Sequence, residues 1–548
     1  MTGSASRPGA GRRPGTGPLA GAGMLTRLAF RRDRLMLPPW VYVLTALIAG
    51  NAYSFKTLFK TAAERDRLAA TAGSNPAFQF LYGKLYSTSV GGMTAWRYGV
   101  YVALGAGLMS TFLVIRHTRA DEEAGRTELA GSAAVGRHAP LAASLLVAVA
   151  ANVSLAVLVG VVLPLLGLPV GGSLALALAT AACGLAFAGI AAVAAQLSGT
   201  ARGARGITFT VLGVAYLLQA VGNSAGAQGP QWLTWLSPPG WAGLVRPFAG
   251  ERWWVLALPV AAAAVTGTAA FLLAARRDLG AGLLPDRPGP ATAGALLRGP
   301  LGLAWRLQRG TLAGWTAGLL AGGIASGAAG KGIGSLLSSS AQLRTAFLRL
   351  GGQAAITNAY LAAIMGLAGL VAAAYATSAV LRLHNEEAAG RAEPVLVSLA
   401  SRGGWWASHM AVTVIGTAAT LAAAGIGTGL GYGLRAGDVG TRVPQLLGAA
   451  LAQLPAALAV AAVAVLAFGL LPNWSVGIGW TALAVAVLLA LFGEILRLDQ
   501  RVLDISPFTH VPKLPGGTVS AAPLAWLAVI AVALAAAGLG GLRRRDIG

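Results

Sequence analysis

Two stretches of the chain hold the residue types that could do chemistry. Ala120 to Ser132 reads ADEEAGRTELAGS and sets Asp121, Glu122, Glu123 and Glu128 around Arg126. His384 to Leu396 reads HNEEAAGRAEPVL and sets Glu386, Glu387 and Glu393 around Arg391. Together they hold seven of the 18 acidic residues in 548. Carboxylates this dense suit charge-assisted hydrogen bonds to Arg or Lys on another surface. They do not suit hydrolysis, because no Ser/His/acid or paired-carboxylate arrangement accompanies them, and no catalytic residue is assigned. The single cysteine, Cys183, allows no intrachain disulfide, and His117, His138, His384, His409 and His510 form no ligand spacing, so no metal site is expected.

The rest of the chain must position these phrases. It is 56% hydrophobic and 11% charged, with a mean hydropathy of +0.67. Soluble domains carry about 25% charged residues, so this chain belongs in a bilayer. Its formal charge of +23 could suggest nucleic acid, but surplus Lys and Arg in a membrane protein collect in cytoplasmic segments. No nucleic-acid partner is expected.

Apolar runs long enough to span the hydrocarbon lie near 36–54, 98–115, 140–166, 172–197, 206–221 and 255–274. Six more lie near 310–329, 360–381, 406–430, 447–471, 474–496 and 524–542. The fold class is therefore an all-α polytopic membrane protein of about twelve transmembrane helices. Residues 1–23 lack an apolar period and read as a disordered tail. The first run starts too late for a cleaved signal peptide. With the N-terminus inside, 25 of the 41 Lys and Arg fall in cytoplasmic segments, and both termini and both charged phrases are cytoplasmic.

The phrases belong to a longer repeat. Leu28-Ala29-Phe30-Arg31 matches Leu303-Ala304-Trp305-Arg306, and Glu122-x-x-Gly125-Arg126-x-Glu128 matches Glu387-x-x-Gly390-Arg391-x-Glu393. Ser237-Pro238 matches Ser506-Pro507, and Arg276-Arg277-Asp278 matches Arg544-Arg545-Asp546. The offsets are 275, 265, 269 and 268, in one order. The chain reads as two tandem six-helix halves, 24–280 and 301–548, joined by a cytoplasmic Pro/Gly-rich linker, 281–300. An even number of spans in each half makes the repeats parallel.

A solvated loop would need charge but not Gly-Arg-x-Glu twice in register. Glu122 and Arg126 stand four apart, acid first, which favours a short helix. Gly125 and Gly390 weaken that helix but admit a close partner backbone. The expected object is an exposed, doubly charged knob at the membrane face. At this point the chain resembles the permease subunits of bacterial ABC exporters, and more closely their fused twelve-span class, described as exporters of polyketide antibiotics in actinobacteria. The amphipathic segments LTRLAFRRDR and LGLAWRLQRG, the E-x-x-G-R-x-E loops and the Ser-Pro loops carry the resemblance, which runs from about Thr26 to the end.

The resemblance implies that Glu122, Gly125, Arg126 and Glu128, with Glu387, Gly390, Arg391 and Glu393, couple to an ATPase. Pro394, where the first phrase has Leu129, is expected to end the second helix a turn early. The stretch Gly327 to Gly332 lacks the glycine and Ser/Thr of a phosphate loop. The ATPase is therefore expected as a separate subunit in two copies, binding ATP and Mg itself, with no cofactor in this chain. The implied location is the bacterial cytoplasmic membrane. The implied cargo is a lipophilic drug or antibiotic-like molecule, held between the halves against handles such as Asn152, Gln196, Gln219 and Asn223. The segments 224–254 and 497–521, the first carrying Trp232, Trp235, Trp241, Trp253 and Trp254, read as interfacial or re-entrant. The resemblance implies an outer gate there, begun at Ser237, Pro238, Ser506 and Pro507. Gly425, Gly429 and Gly433 permit close helix packing. The alternative is an ion-coupled secondary drug transporter, which would need ionisable groups inside its spans; Glu494, at a span end, is the nearest acidic candidate.

Reporter fusions test the topology. Fusions at Gly125 and Gly390 are expected to read cytoplasmic, and those at Gly240 and Gly516 external. Opposite signs within either pair would end the parallel-repeat assignment.

Overall fold

A computed structural model describes residues 17–73, 76–131, 135–224, 229–284, 299–338, 352–398, 401–492, 499–518 and 520–545, with Thr292 and Gly294. Residues 1–16 of the expected tail, most of the linker, and Glu494 lie outside them. Residues 17–21 do not continue a tail. They form a turn in which Ala20 and Pro18 carbonyls accept from the Gly136 and His138 amides, and a helix starts at Ala22.

Among the described residues every regular element is a helix. Hydrocarbon offers peptide groups no partner, so a spanning segment meets its hydrogen bonds internally. Among the described residues eleven helices are long and apolar enough to cross a membrane. A twelfth counts with the pair Ala22–Asp33 and Leu37–Leu58, which is bent by 67°. The chain is an all-α polytopic membrane protein, and it divides into two compact units, Met1–Pro288 and Gly289–Gly548.

In the first unit the bend has a local cause. Pro38 and Pro39 lie in the first turn of Leu37–Leu58, where their missing N–H groups cost nothing and their fixed φ starts a helix afresh. The amphipathic helix Ala22–Asp33 therefore stands apart from the first span. Val90–His117 and Val170–Leu197 form the centre and are mostly buried, whereas the sixth span, which ends at Ala274, is mostly uncovered. Their faces are rich in Ala and Gly, so the backbones approach closely. Ile48, Val102, Met109, Leu113, Val147 and Leu155 fill the core between the first four spans.

The second unit lacks the bend. No proline interrupts Pro300–Ser338, so the expected amphipathic leader and its span are one 39-residue helix. Arg402–Ala436 is the hub of this unit and carries small residues on two faces. A Cβ at Gly427 or Gly431 would run into the Leu320 or Ile324 carbonyl of Pro300–Ser338. Gly425, Gly429 and Gly433 face Leu446, Val443 and Val439. The stripe noted in the sequence thus seats the helix Val439–Leu451, which bends at Ala452–Gln453 into Leu454–Leu470.

This packing makes opposite predictions for two glycines of the second unit. Gly431→Ala overpacks a backbone contact and should destabilise by about 1–3 kcal/mol. Gly318→Ala meets open space. It should be neutral or stabilise by up to about 1 kcal/mol. Unfolding of the purified variants in detergent is the measurement.

Candidate functional site

Each charged phrase follows the second span of its unit and folds as two short helices joined at a glycine. The first phrase has Arg119–Glu123 and Arg126–Gly131, with Gly125 at φ +68°. The second has Arg382–Ala388 and Ala392–Ser398, with Gly390 at φ +67°. Left-handed φ strains any residue with a Cβ and commonly ends a helix. A Cβ at either glycine would meet nothing within 4 Å. These glycines therefore turn the chain; they do not make room for a neighbouring backbone.

The turn rewrites the expected pairing. Arg126 bonds Asp121 at 2.6 Å, not Glu122, and Arg391 bonds Glu386 at 2.8 Å, not Glu387. The Glu386 carboxylate holds the Arg391 guanidinium above its usual range. Pro394 does not end a helix early. It lies in the first turn of Ala392–Ser398, where it removes an N–H that the helix does not use.

Glu122 and Glu387 turn inward. Arg277 reaches Glu122 through Nη2–Oε1 at 2.5 Å and Nη1–Oε2 at 3.0 Å, and Arg119 adds a bond at 2.8 Å. Arg545 grips both oxygens of Glu387 at 2.6 Å. The side chains of Glu122 and Glu387 are only 10% and 14% exposed. The expected exposure of the whole phrase thus fails for these two residues, and also for Asp121 and Glu386, whose side chains are 16% and 8% exposed. It holds for Arg126 and Arg391, at 55% and 58%, and for Glu128 and Glu393.

The surroundings of the two phrases differ. In the first unit Arg32, on the amphipathic helix, grips Asp121 at 2.8 and 3.1 Å. Next to it, fully buried Asp33 meets His117 at 2.5 Å and Arg116 at 3.3 Å. A cavity of about 130 Å³ opens there, lined by Leu28, Arg32, His117, Asp121 and Arg126. In the second unit Arg382 holds Glu386 at 2.7 Å, and Gln308 contacts His409 at 3.2 Å.

The remaining sequence candidates lie elsewhere. Ser237 caps the helix Pro238–Leu244 by accepting from the Gly240 amide, and it donates to the Ala215 carbonyl. Pro507 opens a single turn, Pro507–His510, and Ser506 makes no cap bond to it. Trp235 and Trp254 stack at 5.7 Å. Asn152 donates to Ser110 of the second span at 2.8 Å. Asn223 donates to Gln219 at 2.7 Å on the wall of a cavity of about 40 Å³ that Trp96 and Thr234 also line. Gln196 accepts from Arg277 Nε at 2.6 Å. Arg277 and Arg545 were not singled out as site residues by the sequence, although both stand in its matched Arg-Arg-Asp landmarks.

The inward and outward carboxylates should respond differently to reversal. Glu122→Lys places a third cation beside Arg119 and Arg277 and should cost about 3 kcal/mol, as breaking a buried pair does. Glu128→Lys should stay within about 0.5 kcal/mol, as surface changes do. Thermal unfolding and monodispersity of the purified variants check both.

Comparison with known proteins bears on the whole chain. The family model described as "Multidrug efflux system permease Rv1217c, C-terminal domain" matches residues 26–273 and again residues 297–543. The two matched segments each lie largely within one of the halves read from the offsets. The chain is 42% identical over 525 residues to the multidrug efflux system permease protein Rv1217c of Mycobacterium tuberculosis (strain ATCC 25618 / H37Rv), covering 95% of this chain and 94% of that protein. A twice-matched model and an identity spread over nearly the full length place the chain in the multidrug efflux system permease family.

Proposed function

We propose that this chain is the membrane-spanning component of an ATP-driven exporter of lipophilic, drug-like molecules, worked by a separate ABC ATPase. The observation that carries the reading is the duplicated phrase. In each half a left-handed glycine presents one arginine and one glutamate outward: Arg126 with Glu128, and Arg391 with Glu393. Two such knobs suit two copies of one partner. Charge-assisted bonds from its Arg or Lys would meet the glutamates, and its carboxylates would meet the arginines. ATP and Mg belong to that partner. The name of the 42% identical relative supports efflux as the direction and several drugs as the cargo. The phrases and both termini are assigned to the cytoplasmic side of the bacterial plasma membrane, where ATP is available. The Ser237-Pro238 and Ser506-Pro507 segments are assigned to the outer side as the gate.

The experiment combines Glu128→Lys with Glu393→Lys, because both side chains are exposed. The double variant should insert normally and retain ATPase about 30-fold less well, the lower end of what losing a charged interface pair costs. Full retention would remove the docking role. Export from cells should stop on ATP depletion and continue when an ionophore collapses the proton gradient at constant ATP. The reverse pattern would establish the ion-coupled alternative.

A further inference from the structure

We propose that Arg277 and Arg545 are positioning residues that fasten each charged phrase to the end of its own half's last span. A push on the phrase then moves that span. The inference rests on the ATP-driven reading above and says where its force goes.

Three contacts recur in both halves. The first is the bidentate grip of Arg277 on Glu122 and of Arg545 on Glu387. The second is a brace on the fourth span. Arg277 bonds Gln196 near the end of Val170–Leu197, and the Arg545 guanidinium lies 4.9 Å over the Phe468 ring near the end of Leu454–Leu470. The third holds the arginine's own backbone. Arg137 donates to the Arg277 carbonyl at 2.6 Å, and Arg402 donates to the Arg545 carbonyl at 2.6 Å. Glu122 to Glu387 and Arg137 to Arg402 are both steps of 265, and Arg277 to Arg545 is a step of 268.

Neighbouring positions at the same step have not stayed alike. Arg119, which helps hold Glu122, stands where the second half has His384. The clamp thus recurs while its surroundings differ. Its chemistry explains why arginine serves. A planar fork meets both carboxylate oxygens at once and resists rotation, which one ammonium cannot do. The result is a stiff tie between a pair of helices five to seven residues long and a span end, made where hydrocarbon gives way to water. A flexible loop there would absorb the push.

The test uses the full chain with its ATPase in lipid nanodiscs. Amide hydrogen exchange is followed without nucleotide and with ATP trapped by vanadate. In the parent complex, ATP should change exchange both in the phrases and at the ends of Ala257–Ala274 and Ala521–Arg544. In Arg545→Gln the second phrase should still respond and the end of Ala521–Arg544 should not; Arg277→Gln should act likewise in the first half. Arg545→Glu combined with Glu387→Arg should restore the response, which a general loss of packing would not allow. Arg276→Gln and Arg544→Gln, neighbours with exposed side chains, should behave as the parent. Persistence of the span-end response in Arg277→Gln and Arg545→Gln would overturn the proposal, as would failure of the reversed pair to restore it. If Arg545→Gln does not fold, Arg545→Lys keeps the charge and loses the fork; an unchanged response there is equally fatal. Failure of the parent chain to bind any ATPase would instead refute the reading on which the proposal rests.

Discussion

Inside a bilayer no water completes a peptide group, so each N–H and C=O must be met within the chain. That requirement selects helices, and a nearby one selects their composition: ionisable side chains are costly in hydrocarbon and move to the ends. Charges so displaced become concentrated. At the ends of the second and sixth spans they stand close enough to pair with one another, as Glu122 does with Arg277 and Glu387 with Arg545. The ion pairs at this face follow from the apolarity of everything above it.

The two halves show how much variation this arrangement tolerates. Pro38 and Pro39 break the first half's leader from its span, whereas Pro300–Ser338 runs through. Asp33 is buried against His117 and Arg116, while Gln308 at the matching position makes a neutral contact with His409. A buried carboxylate needs close polar partners, and Asp33 has an arginine and a histidine. An amide needs only a hydrogen bond. The two halves thus use different side chains at this matched position within similar helical surroundings. Glycine does a different job there, letting Arg402–Ala436 pack on two neighbours at backbone distance.

Within eight residues each phrase separates two tasks. Its inward glutamate belongs to the protein's own framework, and the arginine and glutamate beyond the left-handed glycine face outward. The docking role proposed above needs both. Exposure alone would leave a mobile loop, and burial alone would leave nothing to grasp. Membership of a multidrug efflux permease family places this division in a protein whose task is movement across a membrane.

Much of this was legible in the residues themselves. Hydropathy alone located the spans, because twenty apolar residues in a row have few other uses. The repeat was read from four landmarks that share nearly one spacing. The Gly stripe at 425, 429 and 433 permitted close packing, since a four-residue period falls on one helix face, and the fold uses it to seat Val439–Leu451. What could not be read was direction and partnership. Glu122 and Arg126 at i and i+4 pair only on a continuous helix, and Gly125 turns the backbone between them. Glu122 instead meets an arginine 155 positions away, and Glu387 one that is 158 away. Sequence spacing carries no information about contacts of that range. The tertiary fold decided which carboxylates face inward, because only the packing of the second, fourth and sixth spans brings those two chain ends to one point.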